Sequence, residues 1–451
     1  MSVARLEVFV GGKEVATLAS EDGFEHHLTY RPEAKPEDFV SLVMPVRPET
    51  WSWPSLHPFF QMNLPEGFLL STLKEQLGPH LGSRPLDLLA VVGRNSIGRV
   101  QVASAGGLEA SVATLDLQKL LHGKRSVDVF MELLHTYAAS GVSGVVPKFL
   151  SPETRALFRK GTVKTERHII KSSSERLPYL ALNEYLGMQV AARSGAAAAR
   201  TKVSDDGQVL IVERFDVSEE GVRLGFEDCC SLLGLAPEDK YNSTWERVAR
   251  LVADFVPDLQ LAASREQLAL TLLLTYALGN ADCHTKNLAL LYSHENDVRL
   301  APVYDMLTII AYDSYAQNPP GMFVGGRKSW TPGRALSTYL QHLGFEPPRQ
   351  RELVDRVLQA VSDTFPELLS HIRNTPGFAP VGTRMVSEWS EGLARLSDHT
   401  SIVVPDLLAR AKAEDVTPVA AEPRPPQRTK KKRRGVTRGA QARSNSRLLR
   451  H

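Results

Sequence analysis

Long apolar runs are missing from this chain. The longest, residues 268–278, is interrupted by Thr271 and Thr275 and falls short of the roughly 20 residues that span a bilayer, so a membrane-spanning helix is excluded. The opening "MSVARLEVFVGGKEV" alternates apolar and polar residues and has neither the apolar block nor the small-residue cleavage site of a signal peptide. Cysteine is scarce. Cys229, Cys230 and Cys283 form no C-x-x-C pair and no disulfide framework, which points to a reducing, cytoplasmic setting. Neither sign of charge dominates overall, because the net charge is +2, but that balance hides an asymmetry. From residue 423 onward there are eleven Lys or Arg and no acid; the remaining 42 basic residues face 51 acidic ones, so the body is near −9. An acidic body excludes one broad nucleic-acid-binding face.

What is present suffices for a large core. Apolar residues make up 43% of the 451, a soluble globular composition with room for two or three domains. Residues 4–10 and 14–19 read as strands joined at Gly11–Gly12, a hairpin signal. "VSLVMP" (40–45) reads as another strand, "SLHPFFQMNLPEGFLLSTLKEQLG" as a Pro-Glu-Gly turn followed by an amphipathic helix, and "LDLLAVVGRNSIGRVQVAS" as helix, turn and strand. Residues 105–127 read as a linker with a short helix. Strands follow around 160–172 and 201–216, with an Asp-Gly turn before "VLIVERF". Between them "YLALNEYLGMQVAARSG" has helical spacing and ends at Gly195, a C-cap candidate. After about residue 225 the periods are helical: "STWERVARLVADFV", with Ser243 or Thr244 as cap, then "REQLALTLLLTYAL", "RQRELVDRVLQAVSDTF" and "RMVSEWSEGLARLSDHT". No internal repeat is visible. The expected class is α+β with a mixed α/β first lobe, a helical second lobe and a cleft between them. The expected divisions are 1–105, 106–225, 226–412 and a disordered basic tail over 413–451. The tail, "PRPPQRTKKKRRGVTRGAQARSNSRLLRH", is too poor in apolar groups to order its backbone. It reads as a segment that binds RNA, DNA or anionic lipid through counterion release, or as a plain solvated extension.

One stretch resists a purely structural explanation. In "LGNADCHTKNLAL" (278–290), Asn280, Asp282, His284, Lys286 and Asn287 interrupt two segments that both favour burial. Phosphoryl transfer from ATP needs a carboxylate for the acceptor hydroxyl, ligands for Mg²⁺ and a cation on the phosphates. In protein kinases an Asp is followed five residues later by a metal-binding Asn, the spacing of Asp282 and Asn287 here. Lys286 lies between them. "LAPVYDML" (300–307) supplies Asp305 after an apolar segment, and the hard oxygens of Asn287 and Asp305 suit Mg²⁺. "ERHIIK" ends at Lys171, in the manner of a kinase strand lysine. Glu184 on the next helix is its candidate ion-pair partner, and "VLIVERF" is a candidate hinge, receiving adenine near Glu213 and Phe215. The glycine-bearing "SGVSGVVPK" (140–148) precedes Lys171 and can cover phosphates with backbone N–H groups. Each piece has a plain alternative. "GNAD" can be an ordinary turn, Asp305 a helix N-cap, Lys171 a solvated strand end, Glu184 a surface charge, and Gly141 and Gly144 turn residues. Cys283 beside His284 does not supply the three or four N/S ligands that zinc takes, and the adjacent Cys229 and Cys230 read as core. Order and spacing taken together favour the kinase reading.

The motifs also resemble the HipA family of serine/threonine kinase toxins of bacterial toxin–antitoxin pairs, from about residue 3 to about 395. The resemblance rests on "FFQMNLPEG" (59–67), "VVGRNSIGRVQV" (91–102), "SGVSGVVPK" (140–148), "HIIK" (168–171), "LNEYLGMQVAARSG" (182–195), "VERFD" (212–216), "FEDCCSLLGLAPEDKY" (226–241), "GNADCHTKNLALL" (279–291) and "LAPVYDML" (300–307). It implies a mixed α/β N-terminal lobe and an all-helical C-terminal lobe with ATP and Mg²⁺ between them. It also implies Asp282 as catalytic aspartate and Asn287 with Asp305 as Mg²⁺ ligands. ATP contacts are implied from His284, Thr285, Lys286, Asn287, Tyr304 and Asp305, phosphate contact from Lys171, adenine contact from Glu213, Arg214 and Phe215, and a phosphate-side loop from Ser143, Gly144, Val145, Val146, Pro147 and Lys148. The family's regulatory loop often carries an autophosphorylated serine. Gly141 stands at its usual position, leaving Ser143, or Ser140 further back, as the hydroxyl, and Val146 replaces a frequent glutamine. A phosphate on Ser143 adds roughly −1.5 to −2 charge beside ATP. The basic tail matches no family feature.

Three functions follow as expectations. The first is an ATP-dependent Ser/Thr kinase toxin acting on a protein of translation such as an aminoacyl-tRNA synthetase. The second is a co-repressor or binding module with a small helix-turn-helix antitoxin of the HipB type, touching DNA indirectly or through the tail. The third is a small-molecule kinase.

Overall fold

The computed structural model describes residues 4–20, 23–64, 84–105, 117–122, 126–129, 162–165 and 167–418. The glycine loop 140–148 with Ser143, most of the linker, the helix expected after the Pro-Glu-Gly turn, and residues 419–451 lie outside them.

Strands β1 (Arg5–Val10) and β2 (Lys13–Ala19) form the expected hairpin. Gly11 and Gly12 both take positive φ, 57° and 82°, a backbone that suits two glycines in a tight turn. With β3 (His26–Tyr30), β4 (Trp51–Trp53) and β5 (Val100–Ala103) they make an antiparallel sheet ordered β4-β3-β2-β1-β5. Its inner face buries Leu6, Val8, Leu18 and Leu28 against Phe59 and Phe60 of α1 (Pro58–Gln61) and Leu86 and Leu89 of α2 (Pro85–Val92). "VSLVMP" is not a strand. Ser41 and Met44 make one isolated bridge closing a turn. Side chains replace the missing ladder: the Tyr30 hydroxyl donates to the Met44 carbonyl and accepts from Val40 N–H, while Glu227 accepts from the Ser41 hydroxyl and Leu42 N–H. The turn still buries Val40 and Met44 completely.

After a short helix α3 (Leu117–His122), a second antiparallel sheet follows in the order β6-β7-β9-β8: β6 (Thr162–Lys164), β7 (His168–Ser172), β8 (Thr201–Val203) and β9 (Val209–Glu213). Helix α4 (Leu180–Arg193) connects its halves, and Gly195 follows with φ 80°. The second half is mainly helical, but "FED" and "LALLY" form a third small sheet missed by the helical reading. In it, β10 (Gly225–Asp228), β11 (Ala289–Tyr292) and β12 (Arg299–Leu300) pair antiparallel in that order. Cys229 and Cys230 begin α5 (Cys229–Leu232) and are buried as expected. Thr244, not Ser243, caps α6 (Trp245–Phe255) by accepting from Arg247 N–H.

Helix α7 (Asp258–Leu278) is buried along almost its whole C-terminal half. Around it pack α9 (Pro347–Asn374) and α10 (Ala379–Arg395), with α8 (Arg334–His342) against α9 and α11 (Leu407–Ala413) against α10 and, less, α9. This large core continues into the second sheet. Leu182, Leu186 and Val190 of α4 and Leu210 and Val212 of β9 belong to it, as does Val416 just beyond α11. No helix among the described residues is long and apolar enough to cross a membrane.

Candidate active site

Lys171 lies on the central strand β7, opposite Thr162 on β6 and Leu210 on β9. Because Ile170 beside it is fully buried, alternation along the strand turns Lys171 to the other face. There its Nζ meets Glu184 Oε1 at 2.7 Å and Asp305 Oδ1 at 2.5 Å. Burial alone lowers an ammonium's pKa, but the carboxylates of Asp305 and Glu184 outweigh it and hold Lys171 above the ordinary lysine range. Glu184 is 4% exposed, so it is no surface charge. Two neighbours on α4 fix its distance. The Asn183 side chain donates to the Thr308 carbonyl and accepts from Thr308 N–H, and a Cβ on Gly187 would lie 2.2 Å from the Met306 carbonyl oxygen.

Asp305 is not a helix cap, since no helix starts after it; a 3-10 turn begins only at Ile309. It instead takes φ 60°, a left-handed conformation that costs energy for a residue with a Cβ and clusters at functional sites. The β11–β12 pairing explains why Asn287 reaches it. Leu290 opposes Leu300 and Ala301 N–H bonds to the Ala289 carbonyl, so the residues before β11 run beside those after β12. Asn287 Nδ2 then donates to Asp305 Oδ2 at 2.8 Å.

Helix α7 stops at Gly279, whose φ of 68° caps the helix, and the polar loop begins. Asn280, 1% exposed, ties the two acidic segments together: its Oδ1 accepts from Asp282 N–H (3.1 Å) and its Nδ2 donates to the Asp305 carbonyl (3.4 Å). Asp282 accepts a hydrogen bond from the Tyr241 hydroxyl and lies 4.0 Å from His284 Nε2. His284 N–H donates to Asn287 Oδ1, closing the 3-10 turn Thr285–Asn287. The Thr285 hydroxyl donates to the Lys240 carbonyl; the Lys286 carbonyl accepts from the Tyr304 hydroxyl. Cys283 is fully buried, which pushes its thiol up to about 12 and keeps it protonated. Among the described residues no group of three or more His, Cys, Asp or Glu is placed to hold a metal. Asp305 supplies a carboxylate and Asn287 an amide whose oxygen here accepts from His284 N–H and whose nitrogen meets Asp305; carboxylate and amide oxygens are hard donors of the type that suits Mg²⁺.

At the expected hinge the picture divides. Phe215 packs its ring 5.6 Å from that of Tyr304 and 6.0 Å from that of Phe226, forming an apolar wall beside the cluster. The N–H groups of Glu213 and Arg214 are taken by the carbonyls of Arg200 and Arg167. The Arg214 side chain is a strut: buried, it grips Asp216 with two nitrogens and reaches the carbonyls of Ser96 and Thr165. The structure thus brings Lys171, Glu184, Asn287 and Asp305 together and sets Asp282 on the same loop. Asn280 and Tyr241 were assigned no role from sequence, although both stand inside quoted motifs. A buried Asn directly after a helix-capping glycine was the available signal for the first.

A strand lysine braced by a helix glutamate, facing an Asp and an Asn from two loops, within a two-lobed fold, defines the kinase-like class. Within that class the chain belongs to the HipA-like family: the HipA N-terminal domain matches residues 6–103 and the HipA-like C-terminal domain residues 140–365. Two Sinorhizobium fredii proteins named as candidate kinases are similar. Y4mE is 27% identical over 367 residues (72% of this chain, 84% of the relative), and Y4dM is 26% identical over 341 (69% and 78%). Among solved structures, the HipA of Shewanella oneidensis MR-1, determined with HipB and its operator DNA, superposes with a TM-score of 0.63 at 17% identity, covering 88% of this chain and all of that one. At that identity the likeness is one of fold.

Proposed function

We propose that this chain is an ATP- and Mg²⁺-dependent serine/threonine protein kinase, acting in the cytoplasm as the toxin of a toxin–antitoxin pair. The observation that carries the proposal is the meeting of Lys171, Asp305 and Asn287 from three separate segments at a strained backbone position. In this reading Lys171, braced by Glu184, holds the nonreacting phosphates. Asp305 and Asn287 are the Mg²⁺ ligands; the ion, when bound, neutralises charge developing on the phosphate oxygens. Asp282 orients the acceptor hydroxyl and takes its proton as the hydroxyl oxygen bonds to the γ-phosphorus and the bond to ADP breaks. Phe215 and Tyr304 line the base. Ser143, with Ser140 as the alternative, is the expected autophosphorylated residue.

The Shewanella relative's association with HipB and operator DNA supports a HipB-type antitoxin as partner here, with DNA contacted indirectly or through the basic tail. A protein of translation, an aminoacyl-tRNA synthetase in particular, is the proposed substrate. The test is phosphate transfer from γ-labelled ATP with Mg²⁺, to the protein itself and to a lysate. Asp282→Ala and Asp305→Ala are each expected to lose at least about a hundredfold in rate. Transfer that survives in both variants, or label confined to small molecules, would overturn the reading.

A further inference from the structure

The stretch "APEDKY" (236–241) has no part in the chemistry above, yet it grips the catalytic loop. The Lys240 carbonyl accepts both the N–H (3.2 Å) and the hydroxyl (2.9 Å) of Thr285. The next residue, Tyr241, places its ring edge-on to His284, centroids 4.9 Å apart, and donates its hydroxyl proton to Asp282 Oδ1. Tyr241 is itself fixed. Lys328 Nζ donates to its carbonyl at 2.9 Å. Just beyond it the backbone is pinned to another segment: Trp245 N–H bonds to the Phe323 carbonyl and Phe323 N–H to the Ser243 carbonyl. From the other side, residue 321 can only be a glycine, because a Cβ there would lie 2.2 Å from the Cys283 carbonyl oxygen. Asp282 is thus held at its backbone by Asn280 and at one carboxylate oxygen by Tyr241.

We infer that Tyr241 is a positioning residue for Asp282, its hydroxyl fixing the carboxylate's rotation so that the second oxygen faces the acceptor hydroxyl. A carboxylate turns over a broad, roughly two-fold torsional profile, so a donor directed at Oδ1 from a rigid segment biases which oxygen is presented. This orientation is what proton acceptance in the transition state needs, and it does not require Tyr241 to touch nucleotide. The inference rests on the kinase reading.

Tyr241→Phe keeps the ring, its packing on His284 and the Lys328 contact to the backbone, and removes only the donor. In steady-state transfer to the acceptor, kcat is expected to fall about tenfold, while KM for ATP and the melting temperature stay at wild-type values. In single-turnover measurements on an Asp282→Asn background, adding Tyr241→Phe is expected to cost nothing further, because the residue acts through Asp282. An unchanged kcat, a loss that multiplies that of Asp282→Asn, or a shift confined to KM and melting temperature would overturn the inference while leaving the kinase standing. A rise in kcat would also overturn it, by showing the phenol to occupy the acceptor's place. Wild-type protein without transfer, or transfer retained by Asp282→Ala, would remove the kinase reading and this inference with it.

Discussion

Two ion clusters in this molecule look alike on paper and differ in what surrounds them. Arg214 and Asp216 are two residues apart, 2.5 Å at closest approach, with side chains 1% and 2% exposed. Their remaining hydrogen-bonding capacity is met by Gly98 N–H and the carbonyls of Ser96 and Thr165. Lys171, Glu184 and Asp305 come from a strand, a helix and a loop. Lys171 and Asp305 also meet at 2.5 Å, but their side chains are 25% and 33% exposed. The first cluster is closed and joins the end of β9 to the loop before β5. The second is partly open to solvent and includes Asn287, which donates to Asp305. A closed pair made by near neighbours in sequence acts as a strut. An open one assembled from distant segments, at a backbone position that costs energy, has a conformation that local stability does not explain.

Breaking the strut has the largest expected effect. Arg214→Met leaves Asp216 buried without its cation, and unfolding by urea is expected to show a loss of about 3–5 kcal/mol at neutral pH. The pH dependence has a definite sign. Burial by itself raises the Asp216 pKa, but Arg214 and Gly98 N–H outweigh it and hold the carboxyl below the usual carboxylate range. A depressed folded-state pKa contributes stability above the unfolded value of roughly 3.9, and that stability is lost as pH falls through the folded value. The gap between wild type and Arg214→Met should therefore be widest near neutrality and narrow in acid, where Asp216 is protonated in both states. A gap independent of pH would mean that the guanidinium contributes by packing alone.

Much of the candidate-site cluster was readable from sequence because each member sits on an element with a clear local signature. Lys171 ends an apolar strand run, Glu184 lies on a periodic helix, and Asp282, Asn287 and Asp305 interrupt buried segments. Other features depend on approaches that local pattern does not encode. Strand β12 has two residues, too few for a period, and "ALLY" reads as well for a helix as for β11; only their pairing brings Asn287 to Asp305. "VSLVMP" alternates like a strand, but its backbone is satisfied by Tyr30 and by Glu227 from far along the chain. Tyr241 reaches Asp282 across 41 positions, and Arg214, grouped with the hinge by its neighbours, turned out to face inward to Asp216.

The next largest effect separates the open cluster from the strut. Asp305→Asn should reduce phosphate transfer about a hundredfold, with a weaker effect on urea unfolding than Arg214→Met, because Lys171 keeps Glu184 as its partner while Arg214→Met strands a buried carboxylate. Equal destabilisation by the two substitutions would erase the distinction between strut and site.

The smallest effect belongs to a third pair, and it shows that distance is not the deciding variable. Arg373 on α9 and Glu414 after α11 approach to 2.6 Å, but their side chains are 49% and 39% exposed. Water already solvates both charges, and holding two long side chains in one geometry costs rotamer entropy, so a double-mutant cycle of Arg373→Gln and Glu414→Gln should give a coupling below about 1 kcal/mol. The coupling should also fade in about 1 M salt, where the screening length drops to roughly 3 Å, while the Arg214→Met deficit, shielded from ions, should persist. A coupling above that bound, or one indifferent to salt, would show that α11 shields this pair from solvent and that it works as a second strut.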